Sequence, residues 1–288
     1  MTTKMDNTKP VAVIGAGTMG RGIVQVFAQA GFEVRVYDAA SAALEAAPAM
    51  IGKFLDKAVS KGKLDADAAK ATKERIIPVT TLTEIGRPQL IVEAATERVD
   101  LKTEILKSVD RMVAEGGLLA TNTSSISITK LGSVVADPTR FIGMHFFNPV
   151  PLMKLVEVVR GLETSDATVD ETCAWAKTVG KTPLKVNDHP GFVSNRVLMP
   201  MINEAVFTLQ DGVADAETID GVMTMGMNHP MGPLALADLI GIDVCLHILE
   251  VLHGELGEDR YRPCPLLRKM VDAGRLGRKA KRGFYSYE

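Results

Sequence analysis

A histidine and a glutamate in this sequence are spaced so that they can act together as a base. Glu157 lies inside the apolar run 155–159, where a buried carboxylate is destabilising unless another group pairs with it. His145 precedes it by 12 residues, across a turn with Pro149 and Pro151 that can return the chain beside its own strand. The spacing predicts a His145–Glu157 pair, in which the carboxylate fixes the imidazole tautomer and raises its basicity. A purely structural ion pair is the alternative.

A glycine-rich turn lies near the start of the chain. The apolar run 11–15 leads into G-x-G-x-x-G at Gly15, Gly17 and Gly20, and residues 19–31 then have helical spacing. The first glycine permits a tight turn, the second lets the backbone approach a pyrophosphate, and the third allows close helix–strand packing. The helix N-terminus offers N–H groups to the anion. Strand, glycines and helix in this order predict a dinucleotide site.

Asp38 ends the second strand-like run, 33–38, and lies 18 residues after Gly20. A carboxylate there accepts hydrogen bonds from both adenosine ribose hydroxyls and repels a 2′-phosphate. No arginine follows at 39–41, so the sequence favours NAD over NADP. Beside a nicotinamide, His145 would take a hydroxyl proton as hydride leaves the carbon, which is the oxidation of an alcohol to a ketone. The alternative is a glycine-rich turn with Asp38 as a helix cap.

Two polar clusters follow strand-like runs, at residues 121–125 and 145–149. Ligands of open α/β sheets bind outside the carboxyl ends of the strands, so these hydroxyls, amides and His145 are expected near a ligand. Such residues also cap helices, and for the first cluster that interpretation stays open.

Three lysines recur every four residues, at Lys53, Lys57 and Lys61, and so share one face of a helix. One interpretation is an ordinary solvated face. The other is a landing site for a polyanionic part of a substrate.

These residues are positioned by alternating strand-like and helix-like stretches, which predict a doubly wound α/β fold with a parallel sheet. The connection between Asp38 and Ile76 has 37 residues, far more than a crossover needs. We interpret about 41–75 as a helical hairpin that projects from the sheet and breaks at 61–63. The expected strands are 11–15, 33–38, 76–80, 90–95, 118–123, 140–147, 155–160 and 183–186.

The turn-rich segment 187–191 predicts a boundary between a dinucleotide-binding domain, 1–188, and a helical domain, 189–288. Pro200 is expected to kink or reset the first helix of the second domain. The helices expected there are 192–211, 215–225, 233–256 and 265–273.

Composition limits the remaining possibilities. The 288 residues include 33 Lys and Arg against 35 Asp and Glu, so no overall charge attracts nucleic acid or anionic membranes. The three cysteines lack metal or disulfide spacing, which favours a cytoplasmic protein without a metal site. No signal-peptide core and no membrane-spanning run is recognisable.

Taken together, these residues resemble the L-3-hydroxyacyl-CoA dehydrogenase family, and within it the bacterial 3-hydroxybutyryl-CoA dehydrogenases. The resemblance covers about residues 10–287. Its motifs are Gly15-Ala-Gly-Thr-Met-Gly20, Glu93-Ala-Ala-Thr-Glu97, Asn122-Thr-Ser-Ser125, His145-Phe-Phe-Asn-Pro149-Val-Pro151, Pro190-Gly-Phe-Val-Ser-Asn195-Arg196 and Pro230-Met-Gly-Pro233. Near the C-terminus, Ala280 and Lys281 depart from the family's Thr and Gly.

The resemblance implies a Rossmann-type first domain and NAD-dependent oxidation of (S)-3-hydroxyacyl-CoA, in particular 3-hydroxybutyryl-CoA, as in fatty acid β-oxidation. It implies that His145 is the base, that Glu157 is its partner, and that Ser124 and Asn195 bind the substrate. The hairpin lysines would receive the CoA nucleotide, and the helical domain would form a homodimer. The NAD contacts implied are Asp38, Glu97, Lys102, Ser124, Asn148 and Lys279.

Other functions remain open at this point. A sugar-acid dehydrogenase or crystallin-like relative of the same fold would be favoured by acidic residues in place of the hairpin lysines. Hydroxyisobutyrate and phosphogluconate dehydrogenases are expected to use a catalytic lysine, whereas the base candidate here is His145. A non-catalytic dinucleotide sensor would need the glycines and Asp38 without a paired histidine and glutamate.

Overall fold

An eight-stranded sheet forms the centre of the first of two units in the computed structural model, which describes residues 5–288. The first unit ends at Asp188 and the second runs from His189 to Glu288. The strands are β1 (Val11–Ile14), β2 (Val34–Tyr37), β3 (Ile76–Val79), β4 (Leu90–Glu93), β5 (Leu118–Thr121), β6 (Phe141–Phe146), β7 (Leu155–Arg160) and β8 (Thr182–Asn187).

The strand order is β3-β2-β1-β4-β5-β6-β7-β8, and every neighbouring pair is parallel except β6 and β7. The chain runs outward from β1 to β3 and then returns to place β4 on the other side of β1. Such a reversal opens a crevice at the carboxyl ends of the strands. The doubly wound, Rossmann-type α/β fold predicted from the sequence is confirmed.

Six helices flank this sheet in the described part of the first unit. They are α1 (Thr18–Gln29), α2 (Ser41–Ser60), α3 (Ala66–Glu74), α4 (Val99–Val109), α5 (Ile128–Gly132) and α6 (Asp166–Thr178). Helices α2 and α3 form the expected hairpin. Ile51 and Leu55 of α2 are buried in the same apolar core as Phe27 of α1. Helix α2 therefore has an apolar face, which packs into this core, as well as its lysine face.

The second unit is helical, as expected. Its helices are α7 (Ser194–Gln210), α8 (Ala216–Gly226), α9 (Pro233–Ile240), α10 (Ile242–Leu256) and α11 (Pro265–Asp272). The single helix expected over 233–256 is two helices, because Gly241 between them adopts a φ of +109° that no helix can contain. Helix α7 continues through Pro200, so the helix is not reset at that residue, and the kink stays a prediction.

A buried carboxylate holds the C-terminal segment to the second unit. Asp238 accepts hydrogen bonds from the backbone N–H groups of Phe284 and Tyr285, each at 3.0 Å, and from the Tyr287 hydroxyl at 2.9 Å. A Cβ atom on Gly283 would lie 1.9 Å from Asp238 Oδ1, so only glycine fits there. Lys281, by contrast, adopts a left-handed φ of +57°, where the family's glycine would be unstrained.

Both edges of the sheet contain a proline. Pro78 lies in the edge strand β3, and Pro183 lies in the edge strand β8. Proline cannot donate a ladder hydrogen bond, so within sheets it is confined to such positions.

Two kinds of feature are absent from residues 5–288, namely membrane-spanning helices and clustered metal ligands. No helix within residues 5–288 is long and apolar enough to span a membrane. Within the same residues, no group of three or more His, Cys, Asp or Glu side chains is arranged to hold a metal ion.

Candidate active site

The one antiparallel pair of the sheet brings His145 and Glu157 together. Their strands, β6 and β7, pair so that the two residues lie directly opposite each other. His145 Nδ1 lies 2.8 Å from Glu157 Oε2, and both side chains are buried. With Glu157 ionised, Nδ1–H donates to the carboxylate, which leaves Nε2 as the basic nitrogen of the ring.

The turn between β6 and β7 is tight. The Asn148–Pro149 peptide bond is cis, and the Pro149 carbonyl accepts hydrogen bonds from the N–H groups of Leu152 and Met153, at 2.9 and 3.0 Å. Asn122, at the end of β5, accepts from the Phe146 N–H at 2.8 Å and so joins the carboxyl ends of β5 and β6.

The glycine loop is closely packed at its first and last glycines and open at the middle one. A Cβ atom on Gly15 would lie 2.6 Å from the Ala94 carbonyl oxygen, and one on Gly20 would lie 1.8 Å from the Gly15 carbonyl oxygen. These two glycines are therefore needed for packing. No described atom lies within 4 Å of a Cβ position on Gly17, so the backbone there is open to an approaching ligand.

Asp38 is held against this loop. Its Oδ2 accepts a hydrogen bond from the Ala16 N–H at 2.7 Å, and its Oδ1 accepts from the Ala40 N–H at 2.8 Å. Each carboxylate oxygen has a further lone pair, so the group can also accept from two ribose hydroxyls. The open backbone at Gly17 and the fixed carboxylate of Asp38 together fit the diphosphate and ribose of a dinucleotide.

A buried ion pair lies at the carboxyl end of β4. Lys102, only 1% exposed, donates to both carboxylate oxygens of Glu93 at 2.8 and 2.9 Å, and to the Ala95 carbonyl at 3.1 Å. Glu93 is fully buried and also accepts from the Thr121 hydroxyl at 2.5 Å. Since Thr121 ends β5 and Lys102 lies in α4, this one carboxylate ties three elements together.

Glu97 continues the network towards the serine cluster. Its Oε1 accepts from the N–H groups of Ser124 and Ser125, at 2.8 and 3.0 Å, and from the Thr123 hydroxyl at 2.5 Å. Burial favours a raised pKa for Glu97, but the Lys102 charge and these hydrogen bonds outweigh it and hold the pKa below its ordinary value. Glu97 is therefore ionised at neutral pH and fixes the backbone on which Ser124 lies.

Two family models together match nearly the whole chain. Residues 10–189 match the family model described as 3-hydroxyacyl-CoA dehydrogenase, NAD binding domain, and residues 191–287 match the model of its C-terminal domain. The chain belongs to the 3-hydroxyacyl-CoA dehydrogenase family. It is therefore an NAD-dependent oxidoreductase, and the resemblance described from its motifs is confirmed.

Individual members of the 3-hydroxyacyl-CoA dehydrogenase family are similar over nearly the whole chain. A Bacillus subtilis protein named "Probable 3-hydroxybutyryl-CoA dehydrogenase" is 54% identical, covering 97% of this chain and 98% of its own. A 3-hydroxybutyryl-CoA dehydrogenase of Clostridioides difficile is 49% identical, covering 96% and 99%. The crystal structure of (S)-3-hydroxybutyryl-CoA dehydrogenase from Ralstonia eutropha is 48% identical with a TM-score of 0.93, covering 97% and 99%.

The other residues implied by the family resemblance lie in both units. Asn148 begins the tight β6–β7 turn, and Lys53 and Lys57 are exposed on α2, with Lys61 just after its end. In the second unit, Asn195 is buried in the first turn of α7, and Lys279 forms an ion pair with Asp243 at 2.5 Å. Their roles stay predictions.

Glu93 was not predicted to be a site residue, although it begins the motif Glu93-Ala-Ala-Thr-Glu97. The signal was present, because Glu93 ends the apolar strand Leu90–Glu93 just as Glu157 lies within an apolar strand. A carboxylate in such a strand requires a partner, and Lys102 follows one helical turn into α4.

Removal of Lys102 tests the importance of this ion pair. Lys102→Met leaves the Glu93 carboxylate buried without its cation, so we expect a loss of about 3–5 kcal/mol in the free energy of unfolding. Glu93→Gln removes the other partner of the same contact. The double variant should therefore lose less free energy of unfolding than the sum of the losses of the two single variants. Urea unfolding measures all three, and Lys107→Met, an exposed lysine of the same helix, is the control. Additive losses would contradict the coupling.

Proposed function

We propose that the chain oxidises short-chain (S)-3-hydroxyacyl-CoA, foremost 3-hydroxybutyryl-CoA, to the 3-oxoacyl-CoA, with His145 as general base. The observation that supports this most is the buried His145–Glu157 contact of 2.8 Å in a chain of this family. A cytoplasmic location and a part in fatty acid β-oxidation are further predictions. Rates of NADH oxidation with 3-oxoacyl-CoA substrates of increasing length test the substrate, and a rate at C16 equal to that at C4 would contradict it.

His145 and Glu157 have different roles in the proposed proton transfer. His145 takes the proton of the substrate's 3-hydroxyl at Nε2, and its ring becomes an imidazolium. Glu157, bonded to Nδ1, stabilises that positive charge and keeps the ring in the required tautomer. Bound NAD would supply the acceptor for the hydride that leaves C3. In the reverse direction the imidazolium returns the proton to the 3-oxo group.

Other residues hold the reactants in this scheme. Ser124, on a backbone fixed by Glu97, and Asn195 are proposed to bind the 3-oxygen or the thioester region of the substrate. The residues proposed to hold NAD are Gly15, Gly17, Gly20, Asp38, Glu97, Ser124, Asn148 and Lys279. Lys102 is enclosed among three acceptors, so we propose that it serves the NAD site through the charge it places beside Glu97, 3.5 Å away.

Replacement of His145 tests the base. His145→Gln should lower kcat by about 10²–10⁴-fold, because no group of suitable basicity then takes the hydroxyl proton. NADH affinity, measured by fluorescence titration, should stay near the wild-type value, since the glycine loop and Asp38 are untouched. Near-normal turnover would remove His145 from the mechanism. A wild-type protein that binds NADH but turns over no acyl-CoA would instead support the dinucleotide-sensor alternative.

The exposed lysines of α2 support a site for the nucleotide end of CoA. Point charges on one helix face attract phosphates without requiring a pocket. The triple variant Lys53→Ala, Lys57→Ala, Lys61→Ala should therefore raise KM for acyl-CoA several-fold and flatten its salt dependence, because such attraction is screened over a Debye length of about 8 Å.

A truncated N-acetylcysteamine thioester, which lacks the nucleotide, should be insensitive to the triple change. The matched control is a triple alanine variant of Lys107, Lys130 and Lys177, which removes the same charge from other exposed positions of the same unit. If the control raises KM for acyl-CoA equally, only net charge matters and the three lysines are a solvated face.

We propose that the second unit mediates a homodimer, as the family resemblance implies. Apolar side chains lie exposed on two of its helices, namely Val197 on α7 and Val222 and Met225 on α8, with Met225 85% exposed. Exposed apolar side chains such as these are available to a contact between two copies of the chain. Light scattering should give twice the 31.0 kDa of one chain, and Met225→Lys should shift the mass towards the monomer.

A further inference from the structure

A buried lysine next to the candidate site has no role in the proposed reaction. Lys181 lies between α6 and β8, and its side chain is 8% exposed. No ion pair of the described residues includes it, and desolvation lowers the pKa of its ammonium group. An interior ammonium without a carboxylate is destabilising unless strong acceptors surround it.

Two backbone carbonyl groups act as those acceptors. Lys181 Nζ donates to the Val150 carbonyl oxygen at 2.5 Å and to the Met153 carbonyl oxygen at 2.8 Å. Both carbonyls belong to the β6–β7 turn, whose two strands contribute His145 and Glu157. Hydrogen bonds from a charged donor are stronger than neutral ones, so the ammonium fixes this turn at two points.

The same turn also contacts the dinucleotide-binding helix. Val150 is buried, and a Cβ atom on Gly22 of α1 would lie 2.7 Å from Val150 Cβ and 3.6 Å from Pro151 Cδ. Helix α1 and the turn therefore approach as closely as a glycine permits. Gly22 is only two residues beyond Gly20, the last glycine of the nucleotide loop.

These contacts form one continuous path from Lys181 through Val150 to α1. We propose that Lys181 is a positioning residue that presses the β6–β7 turn onto helix α1 and so sets where His145 stands relative to the NAD-binding loop. The inference rests on the proposed role of His145 as base. Proton and hydride leave the same carbinol group, and a misplacement of about 1 Å between reacting groups can cost about 100-fold in rate.

Lys181→Met tests the inference, because it keeps the apolar stem and removes the three donors. We expect kcat to fall roughly 10- to 100-fold, with KM for acyl-CoA within about twofold of the wild-type value. The primary isotope effect on kcat with 3-deuterated substrate should increase, since hydride transfer becomes slower than product release. A merely structural role would lower the melting temperature without changing the isotope effect.

Two further variants complete the experiment. Lys185→Met is the matched control: this lysine lies four residues away, is exposed and pairs with Asp170, so kcat should not change. Val150→Ala weakens the turn–helix contact while Lys181 remains, and should lower kcat in the same direction. If both residues act on one contact, the fold decrease in kcat of the double variant should be smaller than the product of the fold decreases of the two single variants.

An unchanged kcat and isotope effect in Lys181→Met would overturn the inference, however much stability is lost. If Lys181→Met does not fold, the same two quantities are measured on Val150→Ala, and unchanged values there would overturn the inference. Failure of the proposed function gives a different result, because the wild-type protein would then show no turnover of 3-hydroxybutyryl-CoA.

Discussion

The positive charge of Lys102, enclosed at the carboxyl end of the sheet, is the constraint on which the candidate site depends. It pairs with the Glu93 carboxylate, whose burial would otherwise be destabilising, and it lowers the pKa of Glu97. Glu93 then joins β4, β5 and α4, while Glu97 fixes the segment that contains Ser124. Without this cation, Glu93 would lose its ion pair, and only hydrogen bonds from residues 123–125 would hold the pKa of Glu97 down.

A second constraint is the reversal of direction between β6 and β7. Two strands that follow each other in sequence can pair in parallel only if a long crossover joins them. Antiparallel strands need only a short connection, so a histidine on one can face a glutamate on the next. The tight turn at 147–154 makes the antiparallel pairing possible and so gives the His145–Glu157 contact. The proposed base and the nucleotide loop thus come from two different kinds of strand connection in one sheet.

Much of this was predictable from local chemistry. The glycine loop, Asp38 and the His145–Glu157 pairing follow from spacing, because each involves a turn or a buried charge that few arrangements satisfy. Three features were not predicted from the sequence. The break at Gly241 was missed because this single glycine lies within a strongly apolar helical pattern. The apolar face of α2 was missed because the helix is rich in alanine, which does not distinguish a buried face from an exposed one. The acceptors of Lys181 are backbone carbonyls, which leave no trace in residue types.

The prolines of the two edge strands have a consequence for how copies of this chain can meet. An edge strand with unpaired backbone N–H and C=O groups can pair with the edge strand of another molecule. Repeated pairing of this kind leads to aggregation. Pro78 removes a hydrogen-bond donor from the edge strand β3, and Pro183 removes one from the edge strand β8. Lys185 adds a charge to β8. Strand-to-strand growth is thereby discouraged at both ends, even at the high concentrations of a crowded cell. Association is left to side-chain surfaces, where it can stop at a defined number of subunits.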